Sequence, residues 1–205
     1  MTRLLILLIC LPLISSAQFE YKKFGINEEK GVPDGLKIGA KAPKFVAYDA
    51  FGEKIKLKDI LKEESVVLVF YRGQWCPVCN DYLRNLNDSL SHIKAKGARL
   101  IAVGPESQEN ALKSSGQSGG DFTFIVDSYA EIMRAYDVLF SVTEDYQSLI
   151  VTHLNTSIQE NNNSEEALLP VPATYIIGKD GRIKYKHFNL NYYKRASVKE
   201  MLEHL

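Results

Sequence analysis

Continuous apolar runs alternate along the chain with segments of helical periodicity. A run such as "VVLVF" is typical of a strand that is buried on both faces of a sheet. Apolar residues spaced three and four positions apart between Tyr82 and Ile93 predict an amphipathic helix. The predicted strands cover residues 66–70, 98–104, 122–126, 173–178 and 182–188. The predicted helices cover residues 81–96, 107–115, 129–138 and 197–205.

A hairpin is predicted ahead of these elements, at residues 45–57, because two short β-like runs flank "DAFG". The alternation of strands and helices predicts an α/β layered domain with central parallel strands and an antiparallel hairpin at its end. The length of 205 residues and the near-average apolar and charged fractions fit one globular domain with a sizeable core.

Two polar segments stand apart from this pattern. Residues 18–37 read as an N-terminal lead-in arm rather than as a domain. Residues 139–169 form a long insert whose middle, "NTSIQENNNSEE", is polar and rich in Asn. This composition predicts an exposed loop, ordered or disordered.

The N-terminus has the pattern of a signal peptide. Arg3 supplies a positive charge, residues 4–14 are apolar, and "SSA" provides small residues for cleavage after Ala17. The apolar run is too short to span a bilayer comfortably, which disfavours a retained anchor. We therefore expect an exported protein, periplasmic or secreted, with no membrane contact after cleavage. Cys10 would leave with the signal, so the mature chain would keep Cys76 and Cys79.

Charge argues against a nucleic-acid partner. Lys and Arg together number 25, and so do Asp and Glu, so the chain has no net basic field.

The two remaining cysteines lie in "YRGQWCPVCN", and metal binding is one alternative for them. A structural zinc site needs about four ligands, usually a second C-x-x-C or a histidine pair. The four histidines (His92, His153, His187 and His204) are scattered along the chain. No metal and no cofactor is expected. An inert structural disulfide is a second alternative, but so small a loop gains little stability from closure.

A redox-active pair is the third alternative, and the position of the two cysteines favours it. Cys76 and Cys79 lie where a buried strand passes into a helix, and the helix N-terminus favours a thiolate. Arg72 could add a positive charge, and Trp75 could offer an apolar docking surface beside the sulfur. One cysteine can then attack while the other resolves the intermediate.

These residues resemble those of a known family. "VVLVFYRGQWCPVC", followed by a helix and later by "VPATYIIGKDGRIKY", resembles the thioredoxin superfamily, and more narrowly the peroxiredoxin-like branch of the alkyl hydroperoxide reductase and thiol-specific antioxidant (AhpC/TSA) family. "IGAKAPKFVAYDAFGEKIKLKDIL" is similar to the opening segment of those proteins. The resemblance implies a thioredoxin-like domain over residues 38–205, with the insert at 139–169. The resemblance implies a thioredoxin-like α/β fold of the peroxiredoxin type, with a central mixed sheet flanked by helices. It also favours a cis peptide bond before Pro172.

Peroxiredoxins and thioredoxins imply different roles for the two cysteines of this chain. Aligned with peroxiredoxins, Cys79 takes the peroxide-reacting position, Cys76 replaces a Thr or Ser, and Pro172 stands where an Arg is expected. Aligned with thioredoxins, Cys76 is the nucleophile and Pro172 is the cis proline that presents backbone to the substrate.

Three functions follow. The leading hypothesis is a thiol peroxidase that reduces hydrogen peroxide or organic hydroperoxides. Cys79 would attack the peroxide, Cys76 would then form a disulfide with Cys79, and Arg72 would polarise the peroxide. A thioredoxin-type protein would reduce the disulfide again. The second is a thiol-disulfide oxidoreductase acting on exported proteins, with Cys76 attacking. The third is a binding module with an inert disulfide.

Overall fold

The computed structural model describes residues 21–205. The signal peptide expected at residues 1–17, with Cys10, therefore lies outside the described residues. Within the described part of the chain, no helix is both long enough and apolar enough to cross a membrane.

A mixed sheet of seven strands forms the centre of the fold. Its strands are β1 (Val46–Asp49), β2 (Lys54–Lys56), β3 (Ser65–Phe70), β4 (Ala98–Gly104), β5 (Thr123–Val126), β8 (Thr174–Ile177) and β9 (Ile183–His187). They lie side by side in the order β2-β1-β5-β4-β3-β8-β9. Strands β3, β4 and β5 are parallel, whereas β8 runs antiparallel to β3 and pairs with β9 as an antiparallel hairpin. The predicted strands, the β1–β2 hairpin and the fold class are thereby confirmed.

Eight α-helices occur in the described residues, together with a short 3-10 helix at Glu28–Lys30. They are α1 (Leu57–Ile60), α2 (Pro77–Asp88), α3 (Leu90–Ala95), α4 (Gln108–Ser118), α5 (Glu131–Ala135), α6 (Glu144–Leu154), α7 (Ile158–Asn162) and α8 (Val198–Glu203). The single helix predicted at 81–96 is divided into α2 and α3 at Ser89.

Strand β3 explains why its sequence is apolar at every position. Val67 and Val69 belong to the core on one face of the sheet, and Val66, Leu68 and Phe70 belong to the core on the other. Neighbouring side chains of a strand point to opposite faces, so a strand covered on both sides has no polar face. This covered strand gives the residues that follow Phe70 a rigid support.

The prediction of an exposed loop in the Asn-rich middle of the 139–169 insert was wrong. The insert forms α6, α7 and a small antiparallel sheet of β6 (Leu139–Ser141) and β7 (Leu168–Pro170). Asn161 and Asn162 are buried, and the Asn162 side-chain amide donates to the Leu168 carbonyl at 3.0 Å. Polar side chains can be buried here because they make hydrogen bonds within the protein in place of hydrogen bonds to water.

The expected cis proline is also absent, because the described residues contain no cis peptide bond. Pro172 is buried in the short connection between β7 and β8.

Candidate active site

The candidate site lies where β3 ends and α2 begins. Arg72 and Cys76 follow the carboxyl end of β3 within six residues, and Pro77 opens α2 at its first position. Pro is well tolerated at that position because its missing N–H would have no partner inside the helix. The chain turns at Gly73, whose φ of 152° and close approach to Trp75 leave no room for a Cβ atom.

Cys76 is the N-cap of α2. Its Sγ accepts a hydrogen bond from the backbone N–H of Cys79 at 3.3 Å, one of the donors that a helix N-terminus leaves without a partner in the helix. Such a donor stabilises negative charge on the sulfur. The sequence-based expectation of a cysteine at a helix N-terminus is therefore met in the geometry.

Cys79 lies one turn further along, on the side of α2 that faces the core together with Tyr82, Leu83 and Leu86. Both cysteines are free and both are 0% exposed. Their sulfurs are 2.7 Å apart, within hydrogen-bonding contact. The two cysteines therefore form one buried pair, with Cys76 at the start of the helix and Cys79 in its packed face.

Each sulfur has its own guanidinium. Arg72 Nη2 donates to Cys76 Sγ at 3.1 Å, and Arg195 Nη2 donates to Cys79 Sγ at 3.4 Å. Arg72 comes from the loop after β3, whereas Arg195 comes from the segment between β9 and α8. Two permanent positive charges beside a thiol pair favour the removal of one proton.

The pKa values of the two thiols are shifted in opposite directions. Burial by itself would raise the pKa of Cys79, but the hydrogen bond with Cys76 and the charges of Arg195 and Arg72 lower that pKa well below the ordinary value. Burial and the neighbouring Cys79 raise the pKa of Cys76. Two sulfurs this close are coupled, so the loss of a proton from Cys79 makes the loss of the proton from Cys76 harder.

Aromatic rings cover the two arginines. The guanidinium of Arg72 lies 3.6 Å from the ring centroid of Tyr192 and 5.2 Å from that of Trp75. The backbone carbonyl of Tyr192 also accepts a hydrogen bond from Arg195 Nε at 2.6 Å. The segment around Tyr192 therefore closes over the thiol pair and contacts both guanidiniums.

The insert takes part in the site. The hydroxyl of Tyr146 on α6 accepts a hydrogen bond from Arg72 Nη1 at 2.9 Å, and this pair is buried. On α7, the side-chain oxygen of Asn161 accepts from the Gln74 amide at 3.3 Å. The insert thus orients the guanidinium that contacts Cys76 and also holds the loop before the cysteines.

A buried carboxyl group just after β4 supports the same loop. Glu106 is 0% exposed; it accepts from the Gln74 backbone N–H at 2.5 Å and from the Ser114 hydroxyl at 2.7 Å. Burial raises the pKa of Glu106 despite these hydrogen bonds. The hydrogen bond between Glu106 and the loop that carries the cysteines therefore depends on whether this buried acid is protonated.

The structure gives different surroundings to the three residues predicted to position the substrate. Arg72 is only 3% exposed, and its guanidinium contacts Cys76 Sγ directly. Trp75 is buried as well, which leaves little of its ring for a partner to dock on. Pro172 lies two residues before Thr174, whose hydroxyl is 3.4 Å from that of Tyr82 on α2, so its connection packs near the same helix.

Sequence reasoning missed Tyr146, Tyr192, Arg195 and Glu106. Glu106 had a usable signal, because polar residues just after neighbouring parallel strands tend to meet at one edge of a sheet. Tyr146, Tyr192 and Arg195 had none, since they reach the site only through tertiary packing.

A thiol pair at a helix N-terminus can exchange electrons with a peroxide or with another disulfide. Among the residues with described coordinates, no group of three or more potential metal ligands occurs. The fold and the site together define a thiol-based redox protein.

Comparison with known proteins agrees with this class. The model of the AhpC/TSA family matches residues 38–186, so the chain belongs to the AhpC/TSA family. The chain is 29% identical to a thiol-disulfide oxidoreductase ResA of Bacillus cereus over 166 residues, which cover 81% of this chain and 75% of that protein.

Peroxiredoxins are also similar to this chain. It is 32% identical to the peroxiredoxin Bcp of Bacillus subtilis over 103 residues, which cover 50% of this chain and 65% of that protein. The crystal structure of the peroxidoxin BcpB from Mycobacterium tuberculosis has the same fold, with a TM-score of 0.64 and 16% identity, and covers 82% of this chain and 96% of that structure. The thioredoxin-like fold is thereby confirmed.

Proposed function

We propose that this protein is a thiol-disulfide oxidoreductase that exchanges its Cys76–Cys79 pair with disulfides of other exported proteins. The observation that carries the proposal is the placement of the two sulfurs on α2. Cys76 lies at the helix start, next to the exposed Pro77, whereas Cys79 faces the core with Leu83 and Leu86. Both sulfurs are buried, but the first lies beside exposed chain and the second lies in the packed helix face.

The reaction begins with proton transfer between the two sulfurs. The thiolate of Cys79 accepts the proton of Cys76, 2.7 Å away. The charge that develops on Cys76 is stabilised by Arg72 and by the Cys79 N–H. Cys76 then attacks one sulfur of the substrate disulfide; a mixed disulfide forms and the other substrate sulfur leaves as a thiolate.

The second step closes the pair. Cys79 gives its proton to the departed thiolate and attacks Cys76 Sγ, which releases the second substrate sulfur as a thiolate. Two electrons have then passed from the pair to the substrate, and a Cys76–Cys79 disulfide remains. A thioredoxin-type dithiol protein would reopen it, and the reverse sequence would oxidise substrate thiols.

The similarity to ResA proteins, whose name describes this activity, supports the proposal and favours it over the peroxidase hypothesis suggested first by the sequence. The experiment is a comparison of two activities on one sample of the full chain. We expect reduction of insulin disulfides faster than with dithiothreitol alone, and no peroxide consumption beyond that of a Cys76→Ser, Cys79→Ser double variant. Rapid peroxide consumption without insulin reduction would contradict the proposal.

A thiol peroxidase is the second candidate, and one specific observation favours it. The pKa of Cys79 is lowered well below its ordinary value by its hydrogen bond with Cys76 and by Arg195 and Arg72, despite burial. A small peroxide could reach such a thiolate in the helix face. Stopped-flow mixing of the reduced chain with hydrogen peroxide, followed by mass spectrometry, would reveal a sulfenic acid on Cys79 if this candidate is correct.

A further inference from the structure

A groove of about 550 Å³ opens beside the cysteine pair, between α6 and the Tyr192–Tyr193 segment. Pro77 and Val78, the two residues between the cysteines, line it, and so does Arg72, which donates to Cys76. The groove therefore lies beside the cysteine pair, and Arg72 connects it with Cys76 Sγ. We call it the α6 groove.

The α6 groove presents apolar surface to solvent. Leu149, Leu154 and Tyr193 line it and are 51%, 37% and 62% exposed, and the buried Phe24 lines it as well. Contiguous exposed apolar surface of this kind usually marks a binding site. The insert supplies one wall through α6, so the segment that orients Arg72 also shapes this surface.

The two permanently charged side chains that line the α6 groove are basic. Lys23 and Arg72 line it, and no Asp or Glu occurs among the described residues that do so. Neighbouring Lys22 is paired with Asp145 at 2.9 Å, whereas no such ion pair holds Lys23 within the described part of the chain. An occupant with a carboxylate beside apolar groups would complement this surface.

The dimensions suit an extended polypeptide. Leu149 and Leu154 lie five positions apart on α6, or about 7.5 Å along the helix axis. An extended chain advances about 3.3 Å per residue, so two or three of its residues would span that distance. Such a segment would place a disulfide next to Val78 and Pro77, close to Cys76.

We propose that the α6 groove binds the polypeptide that carries the substrate disulfide, and that it selects an extended segment with apolar side chains and an acidic side chain near that disulfide. This inference rests on the proposed function and names the substrate class of the same site. The groove would hold the segment while Cys76 attacks, as described above.

Two synthetic peptides test the selection. Each contains one cysteine in a mixed disulfide with 5-thio-2-nitrobenzoate; Leu, Phe and Glu flank the cysteine in one peptide, and Ser, Gly and Lys flank it in the other. Attack by Cys76 and closure by Cys79 release one peptide thiol and one thionitrobenzoate, whose colour reports the rate. We expect the reduced full chain to react about tenfold faster with the apolar-acidic peptide.

Three variants test whether the preference arises in the groove. Leu149→Glu places a carboxylate in the groove and should bring the ratio of the two rates close to one. Val151→Glu is the matched control, because Val151 is 53% exposed on the same helix but does not line the groove. It should leave the ratio at the wild-type value. Lys23→Glu should lower the ratio by removing the complementary charge.

Binding without chemistry separates this inference from the proposed function. A fluorescent apolar-acidic peptide with Ser in place of Cys should bind the oxidised full chain, and Leu149→Glu should weaken that binding about tenfold. If the peptide binds but the reduced full chain does not react with disulfides, the groove is still a peptide-binding site and the proposed function is wrong. If disulfides react but neither peptide is preferred or bound, the groove assignment is wrong.

Other occupants of the groove would also overturn the inference. One is a fatty-acid hydroperoxide, whose reaction Leu149→Glu would slow while both peptides react equally. Another is a second copy of the chain, seen as a dimer in ultracentrifugation that Leu149→Glu dissociates while both peptides react equally.

Discussion

Arg195 Nη2 lies 3.4 Å from Cys79 Sγ, although the two residues are 116 positions apart in the chain. The contact brings a guanidinium from the segment before α8 to the packed face of α2. With Arg72 on Cys76, it completes a thiol pair in which each sulfur has its own positive charge. The electrostatics of the site thus depend on a residue outside the cysteine motif.

Replacement of Arg195 should make the thiol pair less reactive. In Arg195→Met the thiolate of Cys79 loses a charge-assisted hydrogen bond worth about 1.5 kcal/mol, so the pKa of Cys79 should rise. We expect alkylation of the reduced protein by iodoacetamide to be about tenfold slower at neutral pH, and its pH profile to move toward higher pH. Arg195→Lys should restore part of the rate, because it keeps the charge.

Arg84→Met is the control, because Arg84 is an exposed residue of α2 that is paired with Asp81. Alkylation profiles that coincide for wild type and Arg195→Met would contradict the role given to Arg195.

Loss of the Tyr146 hydroxyl should destabilise the fold. Arg72 is buried, and in Tyr146→Phe its Nη1 donor would have no partner. An unsatisfied buried donor costs about 1 to 3 kcal/mol. Urea unfolding of the reduced protein should therefore have a lower midpoint than wild type. Tyr48→Phe, at an exposed position of β1, should leave the midpoint unchanged; equal midpoints for all three proteins would exclude a structural role for the insert at the site.

Glu106 should make stability depend on pH. Burial raises its pKa above the ordinary value of 4.5, so the folded chain holds a proton that the unfolded chain releases. The free energy of unfolding should then decrease as the pH rises from 4.5 through the raised pKa. Glu106→Gln mimics the protonated acid and should remove this part of the pH dependence in urea unfolding.

Glu109→Gln is the matched control, because Glu109 is exposed and pairs with Lys113 at 2.8 Å. An exposed pair of this kind contributes little to stability, so the pH dependence should remain that of wild type. A Glu106→Gln variant with the wild-type pH dependence would rule out a titrating buried carboxyl group at this position.

Local sequence signals predicted the strands and the cysteine motif because those features are set by neighbours in the chain. The apolar run of β3 and the helix spacing of Tyr82, Leu83 and Leu86 are visible without tertiary information. Arg195 and Tyr146 could not be predicted in this way. They contact the site across 116 and 74 positions, and nothing near them in sequence indicates which residues of the site they contact.

The insert was mispredicted because its Asn-rich composition outweighed a helical pattern within it. Tyr146, Ile150 and Leu154 are spaced four positions apart on α6, and Tyr146 and Ile150 are buried. On α7, the backbone carbonyl of Asn161 accepts from the side chain of Asn110 at 2.9 Å. Composition alone indicates how much polar surface a segment has, but not which polar groups the rest of the fold can satisfy.

Trapping of the mixed disulfide tests the central claim most directly. Cys79→Ser and Cys76→Ser variants of the full chain are reduced and mixed with insulin, and the covalent products are identified by mass spectrometry. The account predicts a stable Cys76–insulin disulfide in Cys79→Ser, because the resolving thiol is missing, and no adduct in Cys76→Ser. An adduct on Cys79 in Cys76→Ser, with none in Cys79→Ser, would contradict it.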